Sequence, residues 1–493
     1  MSGLDYPILG GAACTDGPSE RATAGTRPDP ALRLRATGPP SLEVAGGVIF
    51  TAMPSAEFAR PDSHDALVRA TYAKVTRRLL PFLFLLYIVC FLDRVNIGFA
   101  ALQMNRELGF SPAMYGFGAG IFFLGYVLCE IPSNLILARV GARTWIARIM
   151  VSWGLIACAM MFIRGPVSLI GLRFLLGAAE AGFFPGMIYY LTLWYPEAER
   201  ARAVARFMLA IPLSGVIGGP VSGALLELHG AAGLSGWQWL FLLEGIPAVL
   251  LGLVVYRVLP DGPEDARWLT PTERQALATV LRAERDERER RHGYSVRAML
   301  RNPTVWQLAV LLLLANAFGV YVLGLWLPQI VRDVSGLGPF EVGVLSAIPN
   351  LVAAAAMVVV GAHSDRTGER LGHIAAAAAA AALGLAAGAH LHSTVAVVLA
   401  LSVAAAGLLS THGPIWPLPA TFLTGSAAAG GIAVMTSLAN LGGFVGPYAV
   451  GVLRERTGGY RQGLLLLALA SLAGAALALW LRRSPILRDE ARR

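Results

Sequence analysis

Charge is scarce in this chain. Of its 493 residues only 14% are Asp, Glu, Lys or Arg, while 56% are hydrophobic, and the mean hydropathy is +0.60. Soluble domains carry roughly 25% charged residues, so a soluble globular fold is excluded and a bilayer is implied. Cysteine is scarce as well. Cys14, Cys90, Cys129 and Cys158 form no spaced pair, and three lie in apolar runs, so neither a disulfide framework nor a metal site follows. There is no phosphate loop, nucleophile–base set or metal-ligand spacing, which argues against an enzyme. The net charge of +9 is not a nucleic-acid signature, because the basic residues sit mainly between apolar runs.

Long apolar runs are what the chain has in abundance. Crossing ~30 Å of hydrocarbon takes about 20 helical residues. Runs of that size lie near 79–101, 113–137, 144–163, 166–189, 203–228 and 237–258, and again near 303–329, 341–362, 372–390, 394–416, 426–450 and 460–481. This predicts an all-α integral membrane protein of twelve transmembrane helices. The expected organisation is a disordered cytoplasmic N-terminal segment at 1–74, a six-helix half at 75–258, a cytoplasmic linker with an amphipathic helix at 259–302, a second six-helix half at 303–482 and a cytoplasmic tail at 483–493. Residues 1–52 are rich in Gly, Pro, Ala, Thr and Arg without periodicity. They read as disordered rather than as a signal peptide, and a translation start at Met53 is an alternative expectation.

Loop charges predict orientation. Arg139, Arg143 and Arg148, then Arg200, Arg202 and Arg206, then Arg366 and Arg370 mark one side, together with the linker and the basic tail. Both termini therefore read as cytoplasmic. Arg454, Arg456 and Arg461 dissent, lying between spans eleven and twelve on the predicted outside. In the linker, LTPTER supplies Thr270 as a helix cap, Pro271 at the first turn and Glu273 to complete a capping box. A densely charged helical stretch follows, which reads as a solvated connector.

The halves repeat weakly. GVIGGP (Gly215 to Pro220) in span five matches GGFVGP (Gly442 to Pro447) in span eleven when the prolines are superposed, pairing Gly215 with Gly442 and Gly219 with Gly446. Such internal symmetry marks transporters built from two bundles that hold substrate between them. Close helix packing is the competing explanation.

FLDRVNIGFA places Asp93 and Arg94 side by side in an otherwise apolar span. Each charge at a helix centre costs roughly 2.5–3.5 kcal/mol. Adjacent residues point about 100° apart on a helix, so the two do not simply neutralise one another. Arg173 and Glu180, two turns apart in span four, share a face. Convergence of spans one and four predicts two acids and two arginines around one water-accessible region. A guanidinium there can hold a carboxylate through two parallel hydrogen bonds, while a buried carboxyl carries a proton. The alternative is a set of ion pairs that only fix the bundle.

The sequence resembles the major facilitator superfamily over about residues 75–485. GAHSDRTGER (Gly361 to Arg370) resembles the family's cytoplasmic gating loop, with Asp365, Arg366, Gly368 and Arg370 at its signature positions. In the first-half copy, NLILARVGAR, Ala138 stands where the signature has its aspartate, so that copy lacks the acid of the gating contact. FLDRVNIGFA, IPSNLILARVGARTW, RFLLGAAEAGFFPGMIYYLTLWYP, LWLPQIV and NLGGFVGPYAVG resemble the anion:cation symporter group, which includes bacterial tartrate, sugar-acid and aromatic-acid permeases. The resemblance implies proton-coupled import of a small organic anion by alternating access. Asp93 and Glu180 would carry protons, Arg94 would contact substrate, and Arg173 would bind substrate or pair with an acid.

Tyr126, Tyr321, Trp416 and Asn440 are further candidates for the substrate site, each with ordinary packing as its competing reading. His412 reads as a helix-break residue. The expected setting is the bacterial inner membrane, as a monomer, with no cofactor beyond the coupling proton and no nucleic-acid partner. A proton-driven exporter and a transporter-like sensor are the alternatives. The sequence leaves the anion unnamed.

Overall fold

The computed structural model describes residues 61–290, 300–421 and 425–483. The expectations for residues 1–60, including a start at Met53, and for the tail beyond 483 lie outside the described residues, as does 291–299 of the linker.

The first half comprises α1 (Pro61–Glu107), α2 (Pro112–Val140), α3 (Ala142–Ala159), α4 (Pro166–Glu180) continued by α5 (Phe183–Thr192), α6 (Glu197–Met208) continued by α7 (Ala210–Leu226), and α8 (Gly236–Val258). The linker forms α9 (Pro271–Arg290). The second half comprises α10 (Pro303–Leu312) joined by a π-helical turn to α11 (Phe318–Ser335), α12 (Pro339–Thr367), α13 (Leu371–Gly388), α14 (Thr394–Ser410) with the short α15 (His412–Ile415), α16 (Gly425–Thr457) and α17 (Arg461–Leu481). No strand occurs among the described residues. Among the described residues, eleven segments are long and apolar enough to span a membrane. Helix α16, 33 residues long, makes the remaining segment of the second half.

One boundary differs from expectation. Helix α1 starts at Pro61, so residues 61–74 are helical rather than disordered. The cause is an apolar stripe continuous with the span: Tyr72, Val75 and Leu79 are all buried. Lys74 on this extension pairs with Glu273 of α9 at 2.8 Å, and Trp268 stacks on Trp194 of the first half at 5.8 Å. The linker is therefore docked on the bundle. We call this side the linker face and the opposite side the distal face. The predicted capping box is formed, with Glu273 N–H donating to Thr270 Oγ1 at 3.2 Å and Thr270 N–H donating to Glu273 Oε2 at 2.8 Å.

The halves meet through α2 against α16 and α7 against α12, and small residues make this possible. Gly116 and Gly120 lie against the backbone at Pro447 and Phe444, and Gly219 lies against Gly343. A Cβ at these positions would overlap a carbonyl, so glycine is required for close approach. These contacts, with Gly98 against Leu325 and the Tyr115 hydroxyl donating to the Leu325 carbonyl at 2.8 Å, lie in the distal part of the bundle.

The repeat is in place, but its register is one residue away from the proline superposition. Gly223 meets Pro339 and Phe340 at the start of α12, and Gly451 meets Pro112 and Ala113 at the start of α2. Gly215 faces Asn350, and Gly443 faces Phe123. The counterpart of Gly215 is thus Gly443 rather than Gly442, and that of Gly219 is Pro447. Gly446 instead packs inside its own half, on Phe318 and Val322.

Candidate functional site

A cavity between the halves has two lobes that share Phe91, Arg94, Ile211, Val320 and Tyr321 in their walls. The distal lobe, of about 830 Å³, reaches Phe123, Ser346 and Asn350. The linker-side lobe, of about 660 Å³, reaches Tyr126, Glu130, Asn316, His412, Trp416 and Asn440.

Arg94 sits where the lobes meet. Its Nε donates to Glu180 Oε1 at 3.1 Å, and its Nη2 donates to the same oxygen. The guanidinium lies 5.2 Å from the Phe91 ring centroid, 5.3 Å from Phe122 and 5.2 Å from Tyr126. Aromatic faces attract a cation through their quadrupoles and shield it from lipid. Glu180, fully buried, also accepts from Cys90 Sγ at 3.2 Å, and its Oε2 has no partner. It ends α4, where Gly182 at φ 88° turns the chain into α5. The break leaves the carboxylate beside Arg94 rather than inside a continuous helix.

The expectation that two acids and two arginines share the water-accessible region is corrected here. Arg94 alone of the four lines the cavity. Glu180 lies behind it. Asp93, on the other side of α1, accepts from Trp153 Nε1 of α3 at 2.8 Å, as the 100° divergence of neighbouring residues demands. Arg173 is fully buried behind Phe122, 4.9 Å from that ring, and donates through Nη2 to the Ala119 carbonyl at 3.0 Å.

Tyr126, Tyr321, Trp416 and Asn440 do line the cavity. The Tyr321 hydroxyl donates to Asn440 Oδ1 at 3.0 Å, and its ring lies 4.3 Å from Phe123 of the other half. Sequence reasoning missed Glu130, a buried acid one turn beyond Tyr126 on the same face of α2. The signal was there, since an acid inside an apolar run is costly. It also missed Asn316, set in the π-helical turn Leu313–Ala317. The Asn316 amide donates to the Leu408 carbonyl at 2.7 Å and to Thr411 Oγ1 at 2.9 Å, with His412 Nδ1 also 2.9 Å away. A π-bulge often marks a functional site, but nothing local in LLANA announces one.

At the linker face Asp365 and Arg370 pair at 2.5 Å, and Gly368 ends α12 with φ 68°. Arg366 occupies the last turn of that helix. In the first half, Asp261 supplies the acid that pairs with Arg143, five residues beyond Ala138. It accepts from the Arg143 backbone N–H at 3.0 Å and pairs with its guanidinium at 3.0 Å. That acid comes from a segment over a hundred residues downstream, which local motif reading does not reach.

Residues 83–447 match the family described as Major Facilitator Superfamily. An Agrobacterium vitis protein provisionally named a tartrate transporter is 50% identical, over 83% of this chain and 91% of its own length. A quinolone resistance transporter of Acinetobacter baumannii is 43% identical over 82% of this chain and 93% of its own. Among solved structures, a bacterial homologue of the human lysosomal transporter Spinster, inward-facing and occupied, superposes with a TM-score of 0.67 at 19% identity. It covers 82% of this chain and 96% of the other.

Proposed function

This chain belongs to the Major Facilitator Superfamily, and from that premise we propose that it is a proton-coupled importer of a small organic anion. The substrate class is tartrate, a sugar acid or an aromatic carboxylate, and the Agrobacterium vitis relative supports it. The protein works by alternating access of its two halves in the bacterial inner membrane, as a monomer, with the linker face cytoplasmic. The distal contacts between the halves then make this the inward-facing form.

The observation that carries the reading is Arg94, exposed to the cavity on one side and held by Glu180 on the other. A guanidinium binds a carboxylate best through two parallel hydrogen bonds. An incoming anion therefore competes with Glu180 for Arg94. Once displaced, Glu180 is a carboxylate in a dry site without its cation, a state that costs several kcal/mol. It is relieved by taking a proton from cavity water. Anion binding thereby favours protonation, and protonation of Glu180 frees Arg94 for the anion. Asp93 is the second proton carrier. Tyr126, Tyr321, Trp416 and Asn440 complete the anion's surroundings, and Arg173 acts from behind, fixing Phe122 under Arg94. Asp365, Arg366, Gly368 and Arg370 hold the linker-face turn on which the second half rocks.

The test is uptake of labelled tartrate, sugar acids and aromatic acids into proteoliposomes, with and without an acid-outside gradient, for wild type, Asp93→Asn and Glu180→Gln. Gradient-driven accumulation lost in the variants, with exchange retained, supports symport. Efflux of a lipophilic compound with no anion accumulation supports the second reading, a proton-driven exporter. That reading is favoured by the Acinetobacter baumannii relative.

A further inference from the structure

Behind the cavity, on the side of α1 turned away from Arg94, the first half holds a second polar cluster. Asp93, 1% exposed, accepts from Trp153 through Oδ2, while Oδ1 has no partner. Glu244 of α8, 5% exposed, accepts from the Ser222 hydroxyl of α7 at 2.6 Å through Oε1, while Oε2 has no partner. Asn96 lies one turn beyond Asp93 on the same face of α1 and is 2% exposed. Helix α1 packs against α7 and α8, which carry Ser222 and Glu244, and neither polar atom of the Asn96 amide completes a hydrogen bond. From α4, Glu180 also acts on Asp93, and Cys158 of α3 lies within the field of Asp93. No lysine or arginine pairs with Asp93 or Glu244 among the described residues: Arg94 goes to Glu180, and Arg173 to the Ala119 carbonyl.

We propose that Asp93 and Glu244 share one exchangeable proton across Asn96, which makes Glu244 the partner carboxyl of Asp93, on the far side of α1 from the substrate. The proposal rests on the proton-coupled reading above. Two buried carboxylates without a cation do not both ionise. One ionised and one protonated partner satisfy the cluster, because an amide donates to a carboxylate at one end and accepts from a carboxylic acid at the other. When the proton changes sides, one carboxyl O–H bond breaks and the other forms, the Asn96 amide turns over so that its NH2 faces the new carboxylate, and no other bond changes. Asp93 and Arg94 are neighbours on one helix, so any turn of α1 that follows an anion bound to Arg94 moves Asp93 relative to Glu244 and Trp153. Substrate is felt at the proton site without touching it.

The first experiment is infrared pH-difference spectroscopy of the full-length protein in lipid nanodiscs, which needs no substrate. A single carboxylic-acid C=O band is expected that is lost or shifted in both Asp93→Asn and Glu244→Gln and kept in Glu180→Gln. A band indifferent to Glu244→Gln overturns the pairing. The second is labelled tartrate uptake in proteoliposomes. Glu244→Gln should retain exchange, with its pH midpoint for gradient-driven uptake about one unit more acid, because Asp93 then holds its proton without a sharing carboxylate. Glu244→Asp should restore the wild-type midpoint. A wild-type pH profile in Glu244→Gln overturns this proposal alone. Uptake by wild type that ignores the gradient overturns the proton-coupled reading and the role of the pair with it.

Discussion

Glu455, in the last turn of α16, accepts a hydrogen bond from the Ser111 hydroxyl at 2.7 Å and another from the Ala113 backbone N–H at 3.0 Å. The second half thus caps the first turn of α2 in the first half. Ser111 is itself the N-cap of α2, accepting from Met114 N–H at 3.2 Å. A carboxylate at a helix N-terminus is favoured by the unpaired N–H groups and the helix dipole. The neighbouring Arg454 turns the other way, to Asp333 at 2.7 Å and Gln329 at 3.2 Å, with its guanidinium 4.3 Å from the Tyr460 ring. Arg454, one of the three arginines that dissent from the orientation rule, is therefore tied into its own half.

Glu455→Ala is expected to loosen the distal closure while leaving the halves folded. A cysteine placed at Leu327, in the distal lobe, should react faster with a membrane-impermeant maleimide in this background, by several-fold for a lost contact of about 1 kcal/mol. Unchanged labelling would show that the cap does not restrain opening.

Arg94 and Arg173 should behave differently although both are buried cations. Arg94→Lys removes the fork that grips a carboxylate in the cavity, and lysine offers only a point charge. The KM for tartrate exchange should rise about tenfold or more, equivalent to ~1.4 kcal/mol. Arg173→Lys should leave KM near wild type and lower thermal stability instead, because Arg173 bonds the Ala119 carbonyl and packs on Phe122. Equal KM changes in the two variants would contradict this division.

The fold was legible because a bilayer leaves so few choices. Apolar length marks the spans, and glycine–proline repetition marks the two halves. The chemistry was legible in part, for the same reason that makes buried charge rare: Asp93, Arg94, Arg173 and Glu180 stand out against lipid-like neighbours. What each charge faces was not legible. Asp93 and Arg94 differ by one position, yet one meets Trp153 and the other the cavity. Asp261 for Arg143, and Glu244 for Asp93, are supplied from distant segments by packing that no local pattern encodes. Register between the halves failed for a related reason. Proline superposition compares bends, whereas the packed surface is set by which small residue meets which carbonyl.

Gly116 and Gly177 separate conformational from structural packing. Gly116 lies against Pro447 across the halves, and Gly177 lies against Phe122 inside the first half. Gly116→Ala should leave the bundle folded but oppose distal closure, so that transport falls strongly while the melting temperature changes little. Gly177→Ala should wedge α4 from α2 and destabilise the protein by roughly 1–3 kcal/mol. The comparison needs a thermal melt and an exchange assay on each variant. A lower melting temperature for Gly116→Ala than for Gly177→Ala would reverse the assignment.

The linker offers a pH test outside the membrane. Lys74, donating to Glu273, holds that carboxyl below its usual value of 4.5, helped by the Thr270 backbone N–H of the capping box. Because the folded value is depressed, the stabilisation is complete above the unfolded carboxylate range and is lost as pH falls through the folded value. The contact is partly exposed, so its worth is at most about 1 kcal/mol. Glu273→Ala should therefore lower the melting temperature of the detergent-solubilised protein at pH 7. The gap between variant and wild type should close as the pH drops below 4.5. A gap that stays constant through that window would mean that Glu273 stabilises α9 by packing rather than through its charge. Glu273→Gln, which keeps the side-chain length and a hydrogen-bonding end, should then melt like wild type at every pH.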